Sequence, residues 1–184
     1  AACEAASAGP VLEGSVGAGT GCTVGKILGP EQASKAGLGT ASVDLGNGLR
    51  VGAIVAVNVL GDVVDPTTGE ILAGVRAPDG EGFAGTLETM KTMTSMQFVR
   101  PNQTTIGVVA TNARLTKEET NKVADMAHDG LARAVRPAHP MFDGDTLFAL
   151  ATGEVAGDVN LVGAYAAEVV AEAIVRAVKM AQTE

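Results

Sequence analysis

Two adjacent threonines, Thr104 and Thr105, begin a run of small apolar residues that is typical of a buried strand, at about 104–111. A threonine hydroxyl is a weak nucleophile unless a base takes its proton. One available base is the threonine's own α-amino group, freed when the chain is cut before it, because such an amine titrates near pH ~8. A cut after Gln103 would create this nucleophile. On this stretch alone, a threonine-rich strand edge is the commoner explanation, since threonine is frequent in strands.

The glycine-rich loop at 11–30 contains GAGTGCTVGK, which is similar to a phosphate-binding loop. That pattern needs glycine at position 20 and a serine or threonine after the lysine, where this chain has Thr20 and Ile27. The dinucleotide-binding pattern fails at Cys22 in the same way. We therefore expect no nucleotide cofactor.

The histidines His128 and His139 could bind a metal together with Asp143 and Asp145. Ordinary solvated or hydrogen-bonded histidines are the favoured interpretation, because His128 is expected on the charged side of a helix and His139 lies between prolines. The chain contains only two cysteines, so it has neither a disulfide framework nor a cysteine zinc site. We expect no cofactor and no metal.

Composition limits the possible partners. The 184 residues are 46% hydrophobic and 18% charged, which suits one globular domain, 1–184, with a sizeable core. The net charge is -8 and there is no basic block, so nucleic acid and anionic membrane are poor candidates. The sequence shows no signal peptide or membrane span, and a cytoplasmic location is expected.

Strands alternate with helices along the chain, which predicts an α/β or α+β domain. Predicted strands cover 41–45, 49–61, about 104–111 and 145–153, and a further strand follows the turn at 65–69. Strand 49–61 is apolar on both faces and is expected to be covered on both sides. A capping box of Thr116 and Glu119 predicts a helix that runs to about Val135. The helical pattern at 86–96 is weaker. The last predicted helix spans 162–178.

TTIGVVATNARLTKEE at 104–119 and MFDGDTLFALATG at 141–153 resemble the family of L-aminopeptidase D-amidase/esterases, β-peptidyl aminopeptidases and nylon-oligomer hydrolase. The similarity covers most of 10–180, and the glycine loop ending in VGK adds a third match. The resemblance implies an autoprocessed N-terminal-nucleophile hydrolase. It also implies an αββα sandwich of sheets flanked by helices, like that of ornithine acetyltransferase.

The resemblance also assigns roles to individual residues. Thr104 is similar to the family nucleophile, and Gln103–Thr104 to the scissile bond, which would divide the chain into 1–103 and 104–184. Asp143 and Asp145 match the acidic pair of the nylon-hydrolase branch. The remaining matches are Lys26, placed by that branch beside the threonine, and Asn58, similar to an oxyanion-stabilising asparagine.

These roles make chemical sense together. A lysine ammonium near a threonine amine lowers the pKa of that amine and keeps it a free base. Two carboxylates in Asp143-Gly144-Asp145, at the start of a strand, can orient the threonine. The alternatives are a surface lysine at Lys26, a simple Asp-Gly turn, and a satisfied core amide at Asn58.

Two departures from the family keep other functions open. Gln103 stands where the family has asparagine or glycine, and the family's N-terminal part, with a pocket tyrosine, precedes the region that matches Ala1. The expected function is hydrolysis of small peptides, amino acid amides or ω-amino-acid oligomers. The alternatives are acyl transfer of the ornithine acetyltransferase type and a non-catalytic or split component that needs a separate N-terminal chain. Family members assemble as homo-oligomers, commonly tetramers of processed units.

Overall fold

The computed structural model describes residues 2–7, 9–93, 103–141 and 143–182. Within these ranges a short helix and a run of six strands come first, and longer helices interspersed with strands follow them. The helices are α1 (Ala2–Ala5), α2 (Thr86–Thr92), α3 (Lys117–Ala134) and α4 (Val159–Ala181). The strands are β1 (Thr23–Val24), β2 (Ser34–Lys35), β3 (Leu38–Asp44), β4 (Arg50–Ala56), β5 (Asp62–Val64), β6 (Ile71–Ala73), β7 (Ile106–Ala113), β8 (Val135–Arg136) and β9 (Thr146–Val155).

The main sheet has four strands in the order β3-β4-β7-β9. β3, β4 and β7 pair antiparallel, whereas β7 and β9 pair parallel and are joined through α3. Parallel neighbours need a long crossover, which the helix supplies. A mixed sheet flanked by helices confirms the predicted α/β class.

Helices α3 and α4 cover one face of this sheet and enclose the core. The backbones approach closely at two glycines: a Cβ on Gly39 would lie 2.0 Å from the carbonyl oxygen of Ala173, and one on Gly130 would lie 2.2 Å from that of Ala167. The capping box is confirmed, because Thr116 accepts from the Glu119 amide and Glu119 accepts from the Thr116 amide. The predicted last helix is also confirmed and is longer than expected.

The opposite face of the sheet is partly open in the described part of the chain. Ile106 is 53% exposed and Phe148 is 57% exposed, and both are large apolar side chains. The prediction that strand 49–61 is covered on both sides is therefore wrong for these ranges: β4 ends at Ala56, and Ile54 remains partly accessible.

The turn at 65–69 and the strand after it are confirmed, since Asp65 accepts from the amides of Thr67 and Thr68 before β6 begins. Helix α2 ends at Thr92, and the last three residues of the predicted 86–96 helix lie outside the described residues. No helix in the described ranges has the length and apolar character needed to cross a bilayer.

Candidate active site

The Gln103–Thr104 peptide lies just before β7, at the end of the main sheet. The chain passes from Gln103, which is 4% exposed, to Thr104, which is exposed. The Thr104 amide donates to the carbonyl of Asn58 at 3.0 Å, and the Gly144 amide donates to the carbonyl of Gln103 at 3.4 Å. The Thr104 hydroxyl donates to the same Gln103 carbonyl at 2.5 Å. The hydroxyl therefore lies against the bond that the sequence predicts it to attack.

Asn58 lies beyond the end of β4 and not on that strand, which corrects the sequence-based placement. The β4 ladder ends at Ala56, so the Asn58 backbone is free to bind the strand start at 104–105. Its amide donates to the Thr105 hydroxyl at 3.2 Å. Its side-chain Oδ1 accepts from the Thr23 amide at 3.3 Å and from the Lys26 ammonium. With the oxygen fixed by two donors, the side-chain NH₂ is the group left to act as a donor.

Lys26 is 5% exposed and is not a surface lysine. The glycine loop that carries it is held against the chain after β4, because the Lys26 amide donates to the Leu60 carbonyl at 3.0 Å. Burial lowers the pKa of Lys26, while the charges of Asp143 and Asp145 oppose this shift. A buried ammonium held by an amide oxygen is placed to act on its neighbours electrostatically.

Asp143 and Asp145 flank Gly144 just before β9 and both approach the Thr104 region. Asp143 accepts from the Leu60 amide at 3.4 Å, and Asp145 accepts from the Thr105 amide at 2.9 Å. Burial and the negative charge of Asp145 raise the pKa of Asp143 to about 6. The second oxygen of each carboxylate is buried without a hydrogen-bond partner. The pair is therefore more than an Asp-Gly turn at the surface.

An apolar cavity of about 460 Å³ opens beside Thr104 on the uncovered face of the sheet. Its lining residues are Ala18, Gly21, Cys22, Leu38, Ile54, Ala56, Asn58, Thr104, Ile106, Gly107 and Val108. Within the described ranges, none of these lining residues is charged. Such a cavity can receive an uncharged acyl group next to the hydroxyl.

The two histidines meet near this site. The rings of His128 and His139 are 5.1 Å apart, and His139 Nδ1 lies 3.7 Å from Asp145 Oδ2. Burial lowers the pKa of His128, with a smaller contribution from His139. Across the ranges that the structure describes, no three His, Cys, Asp or Glu side chains form a group able to hold a metal ion.

The structure brings together all six residues that the sequence predicted, through a short chain of contacts. Lys26 contacts Asn58, Asn58 binds the backbone of Thr104, and the loop 143–145 contacts Gln103 and Thr105. Sequence reasoning missed Gly144, Thr105 and Cys22. A glycine between two functional acids was the only sequence signal for Gly144, and nothing in the pattern indicated that Cys22 would line the cavity.

Known proteins resemble this chain over nearly its whole length. An uncharacterised aminopeptidase of Mycobacterium bovis is 41% identical over 203 residues, which cover 98% of this chain and 56% of that protein. A 6-aminohexanoate-oligomer endohydrolase of Kocuria sp. is 29% identical over 202 residues, which cover 97% of this chain and 54% of that protein. The chain thus spans about half the length of the curated relatives it matches.

The fold also matches a solved structure. The L-aminopeptidase D-Ala-esterase/amidase of Ochrobactrum anthropi, described as a variant of the Ntn hydrolase fold, superposes with a TM-score of 0.63 at 22% identity. The match covers 95% of this chain and 47% of that one, and it confirms the predicted fold. The family model of Peptidase family S58 matches residues 1–184. This chain belongs to peptidase family S58.

Proposed function

We propose that this chain carries the catalytic centre of an amide hydrolase that cuts itself between Gln103 and Thr104. The observation that carries the proposal is the Thr104 hydroxyl, 2.5 Å from the Gln103 carbonyl oxygen and at the edge of the apolar cavity. The buried Lys26 contacts Asn58, and the 143–145 loop contacts Gln103 and Thr105. The cut would leave residues 1–103 as the end of one chain and 104–184 as a second chain.

Self-cleavage begins when the Thr104 hydroxyl oxygen attacks the Gln103 carbonyl carbon. The C–N bond breaks, the hydroxyl proton ends on the released nitrogen, and an ester joins Gln103 to the threonine oxygen. Water then hydrolyses this ester, which leaves a carboxylate on Gln103 and a free amine on Thr104. That amine can serve as the base in later cycles.

In the mature protein the same oxygen attacks a substrate amide, and the Thr104 amine passes the hydroxyl proton to the departing nitrogen as the C–N bond breaks. Water then hydrolyses the acyl-enzyme ester, which releases the acid and restores the hydroxyl. Lys26 disfavours a second positive charge nearby and so favours the free amine of Thr104. The NH₂ of Asn58, whose oxygen is fixed by Thr23 and Lys26, is a donor for the substrate oxyanion. Asp143 and Asp145 balance the lysine charge, and Asp145 holds the strand start through Thr105.

The apolar cavity can bind an uncharged acyl group. The proposed substrates are therefore small peptides, amino acid amides and ω-amino-acid oligomers. Relatives named aminopeptidase and 6-aminohexanoate-oligomer endohydrolase agree with this range. They do not favour ornithine-type acyl transfer or a non-catalytic role. Assembly as a homo-oligomer, a separate N-terminal chain and a cytoplasmic location remain predictions.

Intact mass spectrometry of the full-length protein tests the proposal. We expect two fragments whose masses sum to that of the uncut chain plus one water, with the second beginning at Thr104. Thr104→Ala should remain uncut and inactive on a leucine anilide and on a 6-aminohexanoate oligomer. Thr104→Ser is the matched variant and should still cut, because it keeps the hydroxyl. An uncut wild-type protein that hydrolyses these amides, with an equally active Thr104→Ala variant, would exclude the mechanism.

A further inference from the structure

Both polar atoms of the Gln103–Thr104 peptide are hydrogen-bonded by residues distant in sequence. The nitrogen side is held by the Asn58 carbonyl, which accepts from the Thr104 amide at 3.0 Å. The carbonyl side is held by Gly144, whose amide donates to the Gln103 oxygen at 3.4 Å. The peptide to be cut is therefore held between the chain after β4 and the loop before β9.

Gly144 also leaves space for the attacking hydroxyl. A Cβ at this position would lie 3.0 Å from Thr104 Oγ1, which is tighter than an ordinary contact. The φ angle of Gly144 does not lie in the left-handed region, so backbone conformation is not what favours glycine here. A side chain at position 144 would therefore crowd the attacking hydroxyl.

The side chain of Asn58 is positioned to bind the carbonyl of a substrate, not that of Gln103. Its oxygen binds Thr23 and Lys26, and the residue lines the apolar cavity where a substrate would lie. Its hydrogen bond to the Gln103–Thr104 peptide runs from the Thr104 amide to its own backbone oxygen, so it acts there as an acceptor. The negative charge that develops on the Gln103 oxygen during self-cleavage needs a donor, and Gly144 is already bonded to that atom.

We propose that the Gly144 amide is the oxyanion donor of the self-cleavage step. This inference rests on the proposed self-cleavage and adds a catalytic group to it. When the threonine oxygen bonds to the Gln103 carbon, the carbonyl oxygen becomes an alkoxide, and the Gly144 N–H stabilises it. The alkoxide reforms the carbonyl as the C–N bond breaks, and the proton passes to the Thr104 nitrogen. Donors that are long in the resting state shorten as charge develops on the oxygen.

The test replaces the N–H by an oxygen, which cannot donate a hydrogen bond. Full-length protein is made by cell-free translation with glycolic acid in place of Gly144, which replaces the donor by an ester oxygen. Glycolic acid in place of Gly80 is the matched control, because the Gly80 amide donates to Ala77 at 2.9 Å in a turn whose residues make none of the contacts described for the site. Self-cleavage is followed on denaturing gels, and the rate is taken from the protease-resistant, folded fraction. Breakage of the ester itself is recognised because it yields 144–184 rather than 104–184.

We expect the chain with the ester at 144 to cut at least ~10-fold more slowly, since losing one such donor typically costs about 10²–10³ in rate. The chain with the ester at 80 should cut at the normal rate. A 144 ester chain that cuts within about twofold of the unmodified chain overturns this inference and leaves self-cleavage intact. An unmodified chain that never cuts overturns both.

Discussion

Two regions of the main sheet differ in the kind of side chains that they bury. Where α3 and α4 cover it, the sheet is packed with apolar side chains, and Val51, Val55, Val109 and Ile174 have no exposed surface. At the strand starts around 103–105 and 143–145, the buried groups are polar. Among the described residues, the buried side-chain atoms without a hydrogen-bond partner belong to Gln103, Asp143 and Asp145.

This difference indicates what each region is for. Unpaired buried polar groups cost stability, so native proteins keep few of them and concentrate them where they serve a function. Apolar burial in the core beneath α3 and α4 offsets the stability lost to the unpaired polar groups of the site. The strand starts are held rigidly by that core, while their own polar atoms remain available for chemistry.

We expect Lys26→Met to cause the largest loss of hydrolytic activity after removal of the Thr104 hydroxyl itself. The substitution removes the buried ammonium and one of the two donors that fix the Asn58 oxygen. We expect amide hydrolysis by the full-length protein to fall about a thousandfold, within the range for positioned acid–base groups. Lys35→Met, on the exposed side of β2, is the matched control and should change little. Equal rates for the two variants would show that the site does not depend on the lysine charge.

Asn58→Ala should reduce hydrolysis by about a hundredfold or more, because the oxyanion loses a donor. The loss should appear in kcat more than in KM, since the donor binds the transition state more strongly than the substrate. Asn112→Ala is the control: Asn112 also bonds backbone groups, at 2.8 Å to Arg50 and 2.8 Å to Gly48, but at the far end of the sheet. A similar kcat loss in Asn112→Ala would assign the effect to packing.

Much of this arrangement could be predicted from the sequence. The helical periodicity of α4 and the capping box of α3 are local signals, and both appear as expected. The end of β4 was not predictable, because Val57 and Val59 continue the alternation although the ladder ends at Ala56. Those valines are buried by other contacts, and beyond the ladder Asn58 binds the backbone of Thr104.

The candidate site shows the same limit. Family resemblance selected Lys26, Asp143 and Asp145, but residue types alone could not tell a buried lysine from a surface one. The hydrogen bond from Gly144 to Gln103 joins residues 41 positions apart in the sequence, and it depends on the parallel register of β7 and β9. Such contacts follow from tertiary packing and have no local signature.

Asp143→Asn tests the electrostatics of the site through pH. Burial and Asp145 raise the pKa of Asp143 to about 6, and its carboxylate offsets the Lys26 charge. We therefore expect the rate of the wild-type protein to fall as pH decreases through about 6. Asp143→Asn should lack that inflection and be about tenfold slower at pH ~8, as expected for one electrostatic contact in a partly buried site. Asp44→Asn, at an exposed position, is the control and should keep the wild-type profile.

The raised pKa of Asp143 also makes the stability of the folded chain depend on pH. Because the pKa is raised on folding, the folded chain keeps this proton over a pH range where the unfolded chain has lost it. The stabilising contribution is present below the ordinary pKa of 3.8 and is lost as pH rises to about 6. Uncut Thr104→Ala protein should therefore lose stability over this interval, and adding Asp143→Asn should remove that part of the loss. Chemical denaturation at several pH values measures it.

Ile174→Ala should have the smallest effect on the reaction and a large one on stability. Ile174 is fully buried on α4 and belongs to the core cluster that covers the sheet, whereas it is absent from the contacts around Thr104. Its truncation should lower the free energy of unfolding by about 2–5 kcal/mol, and Ile174→Val by about 1 kcal/mol. The hydrolysis rate per folded molecule should remain within about twofold, because additivity holds for distant sites. A rate that fell in proportion to stability would mean that the covered core and the strand starts respond as one unit, and the division between them would have to be abandoned.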